Sequence, residues 1–331
     1  MSLIVTGTVG IDSVYTPHGK AEKVLGGSCT YFAAAASFHG PVRLVAAVGG
    51  DFGPEYRDTF KKFPAIDASG LEMRPNSKTF AWGGKYHDNM DSRETLFTEL
   101  GVLMEAPPKV PASFADSAFV FLANTHPAVQ LNLLNQFPQR KLAVADTMDL
   151  WINTARADLE TLLGAVDGLV LNYDEAELFA GKKNPVTAAR QMLKTFGTAS
   201  AGSGGSGSGG SGSGGGGKSG LKFVIVKKGE HGSLLIMPDR VAALPAYPAE
   251  NVIDPTGAGD SFAGGLMGSI AAAHAKSGGD PASFESLQRG LVHGTVMASF
   301  NIESFTLGRL ISLTKAELDG RVAEFAKMVR V

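Results

Sequence analysis

The chain has 331 residues, 44% of them hydrophobic and 19% charged, with 30 basic against 32 acidic side chains and a formal net charge of −2. That length and apolar content suffice for one large buried core or two modest ones, and the intermixed, nearly balanced charge carries no basic footprint for nucleic acid or an anionic membrane. A lone cysteine, Cys29, excludes an internal disulfide and a cysteine metal cluster, and the seven histidines are scattered without ligand spacing.

From the N-terminus, the opening Met1-Ser2-Leu3-Ile4 has no basic leader, and no apolar run anywhere reaches the roughly 20 residues that span a bilayer. A cytoplasmic protein is expected. The first element is an apolar run of strand length at 3–9, and similar runs recur at 42–48, 118–123, 141–146, 168–172 and 222–227. They are uniformly apolar rather than alternating, as strands of a parallel sheet covered on both faces are. Helix-like segments lie between them at 28–38, 54–63, 127–137, 158–165, 175–180 and 185–196. This alternation predicts an α/β fold with three layers, α/β/α, around a mostly parallel central sheet. Residues 13–25 and 69–100 break the pattern with turn-rich and alternating pieces, which suit half-exposed strands of a small separate sheet.

The stretch 198–220 differs in kind. Residues 201–220 hold 12 of the 42 glycines, with serines and no apolar side chain beyond Ala201. Such a composition cannot bury enough surface to order itself, so a flexible linker inserted in a loop of one domain (1–331) is expected. A natural low-complexity insertion and a man-made replacement both have this character. Gly212 to Ser219 satisfies the spacing of a phosphate-binding P-loop, but no strand precedes it and no helix follows, so the match is a chance one. Beyond the linker, 222–237 reads as a hairpin turning at 229–232, followed by helices from 261 through 273, near 284–300, and over 313–329 with Thr314 as cap and Glu317 three residues on.

Between hairpin and helix lies Asp254-Pro255-Thr256-Gly257-Ala258-Gly259-Asp260. The first amides of a helix lack internal partners and carry partial positive charge, so a glycine-rich helix start attracts anions such as phosphate. Asp260 at that start either caps the helix or removes a hydroxyl proton as the oxygen attacks phosphorus. Asp12, past the first strand at the carboxyl edge, either forms a turn or accepts hydrogen bonds from neighbouring sugar hydroxyls. Asn172 and Glu175 at a strand end either cap a helix or hold the waters of a magnesium ion, which prefers oxygen ligands. Lys227 at the next strand end is a point charge suited to phosphates.

The run from Asp254 to Asp260, with Gly264-Gly265-Leu266-Met267 after it, resembles the C-terminal signature of the ribokinase-like (PfkB) sugar and nucleoside kinases. Gly7 to Asp12, the pair Gly26-Gly27, Asn172 to Glu175 and Lys227 to Gly229 follow that family's order along nearly the whole chain outside the linker. The resemblance implies a kinase that transfers phosphate from ATP to a hydroxymethyl group of a sugar or nucleoside. It implies Asp260 as base, and the amides of Gly257, Ala258 and Gly259 as an anion hole. Asp12, Gly26 and Gly27 would bind the acceptor, and Lys227, Gly229, Asn172 and Glu175 the nucleotide. Mg2+ would be held through water by Asn172 and Glu175, and a monovalent cation such as potassium by Asp254 and Thr256. Residues 13–25 and 69–100 become a lid over the sugar, whose exposed edge either pairs with a second subunit in a homodimer or covers the site alone. Two departures stand out. Tyr31 replaces the asparagine of ribose-specific members, and Asp146-Thr147-Met148-Asp149-Leu150-Trp151 lacks the arginine of members acting on ketosugar acids. Arg93 and Lys85 are lid charges that either replace that arginine or are simply solvated, and His293 falls near an adenine contact, in the core or on the surface. The readings set against a kinase of this kind are a non-catalytic ligand sensor or scaffold and a vitamin kinase of the same fold.

Overall fold

The computed structural model describes residues 2–90, 92–197 and 220–329. The predicted linker, apart from Gly220, and the P-loop-like run within it lie outside the described residues. From the N-terminus, β1 (Leu3–Thr6) is followed by β2 (Gly10–Thr16), β3 (Gly19–Gly26), β4 (Val42–Gly49), β5 (Ile66–Arg74), β6 (Phe80–Tyr86) and β7 (Arg93–Glu99). Then come β8 (Phe119–Leu122), β9 (Leu142–Asp146), β10 (Gly168–Asn172), β11 (Phe223–Lys227), β12 (Ser233–Ile236) and β13 (Val241–Leu244). Nine of them form one sheet in the order β13-β12-β11-β10-β9-β8-β1-β4-β5, and four form a small one in the order β3-β2-β6-β7. The large sheet is parallel from β5 to β11, and the hairpin of β12 and β13 closes it antiparallel.

Uniformly apolar strands fit because both faces of this sheet are covered. Val5, Leu44, Phe121 and Ile225 point into one core, and their neighbours Ile4, Val45, Leu122 and Val226 into the other, following the two-residue period of a strand. On the first face lie the helices Ser28–Ala36, Ala258–Ser277 and Phe284–Asn301, with Phe32 stacked on Phe121 at a centroid distance of 4.3 Å. The helices Pro127–Leu134, Arg156–Leu163 and Pro185–Phe196 cover the second face.

Several predicted boundaries move. The run at 3–9 is not one strand: β1 stops at Thr6, and Gly7, at φ 148°, turns the chain out of the large sheet. Asp12 consequently sits on β2 in the small sheet, not on a loop beyond β1. Residues 69–74, expected in the lid, belong to β5 and pair with β4 at the edge of the large sheet, so the second lid segment begins at Phe80. Alternating polarity marks any half-exposed edge, which is why the two were confused. The last helix runs Lys315–Met328, and Thr314 and Glu317 form the expected capping box. No helix among the described residues is long and apolar enough to cross a membrane.

Candidate active site

Three adjacent strands of the large sheet each end on a polar residue: β9 on Asp146, β10 on Asn172 and β11 on Lys227. Register places Asn172 beside Lys227 and Val170 beside Asp146, so these groups gather at the carboxyl edge, where open α/β sheets bind ligands. Lys227 Nζ lies 3.9 Å from Asp146 Oδ1. It also faces the backbone of Gly259, where an added Cβ would come within 2.8 Å of the ammonium nitrogen. Burial opposes the lysine's charge, but the carboxylates of Asp146, Glu175 and Asp260 outweigh it and hold its pKa above the ordinary value.

Asn172 and Glu175 do form a helix cap. The Glu175 N–H donates to Asn172 Oδ1 at 2.8 Å, and Glu175 Oε2 accepts from the Asn172 N–H at 2.7 Å. The cap also fixes Glu175 inside the cluster. Burial and the charge of Asp146 push its pKa to about 8, against the pull of Lys227, the Asn172 N–H and Arg93. Asn172 therefore acts through Glu175, since its side-chain oxygen is engaged in the cap.

The loop before the helix Ala258–Ser277 is tied from several sides. Asp254, fully buried, accepts from the Thr256 N–H at 2.9 Å and the Thr306 N–H at 3.0 Å. Burial still raises its pKa above the usual carboxylate range. Asn301, on the neighbouring helix, donates from Nδ2 to the Thr256 carbonyl at 2.8 Å and accepts from the Ser261 hydroxyl at 3.0 Å. Gly257 has φ 75°, and the Tyr31 ring lies where its side chain would project, so only glycine fits. One expectation needs correction here. The Ala258 N–H donates to the Pro255 carbonyl at 3.1 Å, closing a tight turn, and is not free for an anion. The N–H groups of Gly257, Gly259 and Asp260 have no hydrogen-bond partner among the described residues, so the cradle consists of these three.

Asp260 stands in the first turn, half-buried. Burial and the charge of Asp146 push its pKa to about 7, while Lys227 and Arg93 pull it down. Arg93 arrives from the lid strand β7, opposite Tyr86, with its guanidinium 5.6 Å from the Trp82 ring centre. Tyr86 in turn shares a hydrogen bond of 3.3 Å with the Thr256 hydroxyl, which docks the lid on the loop.

A second group of residues is joined to the first by charge, since Asp260 and Asp254 act on Asp12. Asp12 Oδ2 accepts from the Gly27 N–H at 3.3 Å, and the carboxylate fills the place of a Gly26 side chain. Burial raises the Asp12 pKa to about 7; the Gly27 N–H opposes this, and the charges of Asp260 and Asp254 add to it. Gly27, at φ 90°, opens the helix Ser28–Ala36.

The fold thus gathers Asp12, Gly26 and Gly27 in one cluster and Asp260, Gly257, Gly259, Lys227 and Glu175 in another. Gly229 instead opens an exposed turn after β11. His293 packs edge-on against His39 at 5.0 Å, the core alternative, and Cys29 is wholly buried. Sequence reasoning missed Asp146, Asn301 and the place of Arg93. Asp146 ends an apolar run just as Asn172 and Lys227 do, and that shared position was the available signal.

The donor set suits a hydrated magnesium ion. No group of three or more His, Cys, Asp or Glu side chains among the described residues is arranged to hold a bare metal ion. The buried Asp146 and Glu175 and the half-buried Asp260 nevertheless form an acidic cluster whose pKa values are all raised, a surplus of negative charge that a divalent ion with its water shell would relieve.

The pattern of the pfkB family carbohydrate kinases matches residues 216–306. The chain is 28% identical over 275 residues to the cytidine kinase of Thermococcus kodakarensis, covering 81% of this chain and 87% of that protein. Among solved structures it resembles a nucleoside kinase of Burkholderia thailandensis in complex with inosine, at a TM-score of 0.71 and 18% identity over 98% of both chains. It also resembles an E. coli protein solved in complex with ATP and Mg2+, at a TM-score of 0.72 and 15% identity over 98% of this chain and 100% of that one.

Proposed function

Because the chain belongs to the ribokinase-like (PfkB) family of sugar and nucleoside kinases, we propose that it phosphorylates the hydroxymethyl group of a nucleoside, with Asp260 as the general base. The observation that carries this reading is the placement of Asp260: a carboxylate with a pKa pushed to about 7, beside free helix-start amides and the Lys227 ammonium. A base with a pKa near the working pH combines availability with driving force. Asp260 takes the proton of the acceptor hydroxyl as its oxygen bonds to the terminal phosphorus of ATP, and the bond to the departing ADP breaks. The amides of Gly257, Gly259 and Asp260 meet the charge on the transferring group, and Lys227 and Arg93 flank it. Glu175, with Asp146 beside it, would hold Mg2+ through water; that ion supplies positive charge to the outer phosphates. Asp12, Gly26 and Gly27 hold the acceptor under the lid, which keeps water from competing.

Two further parts belong to this proposal. A monovalent cation such as potassium at Asp254 and Thr256 is supported by a buried carboxylate whose pKa stays raised despite its N–H donors. Loss of activity when KCl is replaced by tetramethylammonium chloride tests it, and unchanged activity removes it. Homodimer formation along β7 is supported by an edge strand exposed throughout, including Leu96 and Phe97. A monomer mass by light scattering would exclude it.

The nucleoside reading rests on the cytidine kinase and nucleoside kinase relatives. Its test is ADP release with Mg·ATP and a panel of nucleosides, pentoses and hexoses. Turnover with a nucleoside at higher kcat/KM than any free sugar is expected. Turnover with a free sugar alone would replace the nucleoside, and ligand binding without ADP formation would favour the sensor.

A further inference from the structure

The lid strand β6 carries Trp82, Gly84 and Tyr86 at every second position, so the three share one face. Two contacts fix which face it is: Trp82 pairs with Asp12 on β2, and Tyr86 accepts a hydrogen bond of 3.3 Å from the Thr256 hydroxyl. This face is turned toward the 254–260 loop. Gly84 has a reason to be glycine, since an added Cβ would come within 2.1 Å of the Trp82 ring, and the half-buried indole therefore lies across that position.

Arg93, on the neighbouring strand β7, is the register partner of Tyr86. Its guanidinium stands 5.6 Å from the Trp82 ring centre, within the range of a cation–π contact. Burial raises the pKa of Tyr86 and the charge of Asp254 adds to it, while the charge of Arg93, the Thr256 hydroxyl and a hydrogen bond from Arg93 oppose them. The arginine is thus held by the indole and by Tyr86, and Tyr86 ties it to the 254–260 loop. Its charge is felt across the site, at Asp260, Glu175 and Lys227. A long side chain on an exposed edge strand samples many rotamers, and a cation stabilises developing charge best when it is fixed beforehand.

We propose that Arg93 is a catalytic residue delivered by the lid and that Trp82 is the positioning residue which makes it effective: the indole face and the Tyr86 hydroxyl fix the guanidinium beside the 254–260 loop, where it meets the charge on the transferring phosphoryl group. The lid then takes part in the chemistry and does not only exclude water. Trp82, Tyr86 and Arg93 all ride on it, so the cation is in place only while Tyr86 is docked on Thr256. The inference rests on the kinase reading and deepens it, since it assigns a task to a tryptophan that the transfer described above leaves without one.

Trp82→Leu, Trp82→Phe, Arg93→Ala and the double variant Trp82→Leu/Arg93→Ala are assayed by ADP release at saturating Mg·ATP with the best acceptor of the panel above. Neither side chain is fully buried, and melting temperatures matching wild type verify that the fold persists. Arg93→Ala is expected to lose about 10²-fold in kcat, the scale of one preorganised donor to a transition state, with KM for the acceptor within about threefold. Guanidinium chloride added well below denaturing concentration returns part of that loss. Trp82→Leu loses about tenfold in kcat, and Trp82→Phe loses less because a ring face remains. In the Arg93→Ala background Trp82→Leu costs almost nothing further, because the indole acts through the arginine. Additive losses in the double variant overturn the positioning role of Trp82. A Trp82→Leu effect confined to the KM of the acceptor overturns it too and makes the indole an acceptor contact. Turnover of Arg93→Ala within threefold of wild type overturns the catalytic role of Arg93. In all three cases the kinase stands. A wild type that turns over no acceptor of the panel overturns the kinase reading, and this inference with it.

Discussion

Asp260→Asn exchanges one oxygen for an amide nitrogen of nearly the same size, so the loop keeps its shape while the only proposed proton acceptor disappears. Positioned bases contribute about 10²–10⁴-fold, or about 2.7–5.5 kcal/mol of barrier, so kcat falls by that factor. KM for ATP changes little, because Lys227 and the amides of Gly257 and Gly259 remain. The pH profile is the stricter reading. With the Asp260 pKa near 7, the wild-type rate declines about tenfold per unit below that pH as the base is protonated, and the variant loses this limb. Stability moves the opposite way. The folded state raises this carboxyl from its ordinary 3.8 to about 7, so between those values the folded chain binds a proton that the unfolded chain has released. Folding is therefore favoured at the acid end of that window and weakened as pH rises through it. Above pH 7 the wild type holds a repelled, half-buried charge that the asparagine lacks. Asp260→Asn should melt higher at pH 8, by about 1–2 °C for each kcal/mol recovered, with a difference that shrinks toward pH 4. Coupled ADP-release assays from pH 5 to 9 and thermal melts at the two ends measure both effects. Turnover within threefold of wild type, or an acid limb that survives in the variant, would refute the reasoning.

Lys227→Met removes the cation that pulls Asp260 and Glu175 down, so the acid limb of kcat/KM should move up by about 1 unit or more, with weaker ATP binding; an unmoved limb would show that the ammonium does not face these acids. Gly257→Ala places a methyl group in the Tyr31 ring at a left-handed backbone position, which should cost well over the roughly 1–2 kcal/mol of that conformation alone and lower both melting temperature and kcat. A variant melting like wild type would contradict the packing. Asn301→Ala leaves the Thr256 carbonyl and the Ser261 hydroxyl unpaired in the interior, a loss of about 1–3 kcal/mol for each group, read as a lower denaturation midpoint together with reduced activity from a loosened 254–260 loop. Reduced stability with full activity would mean that Asn301 supports the core but not the loop.

Local chemistry carried much of this in the sequence. Uninterrupted apolar runs between amphipathic segments demand a sheet covered on both faces, whatever the side-chain details, and the glycine-rich helix start with its acid is legible because only a few residue types permit that backbone. The Asn172 and Glu175 pair shows the limit of such reading. Cap and acid of the buried cluster share one sequence, and here one structure serves both.

What the chain by itself determined was the order of elements, the glycine-rich turn and the acid within it, since each depends on neighbours in sequence. Tertiary structure alone decided that Asp146, Glu175 and Lys227 converge on Asp260, because strand register brings together residues far apart in the chain and burial then sets their charges. It likewise decided that the Ala258 amide is engaged by its own turn and that Asp12 rides on the lid. Pairing, desolvation and the loss of a free donor are properties of surroundings, and surroundings exist only once the chain has folded.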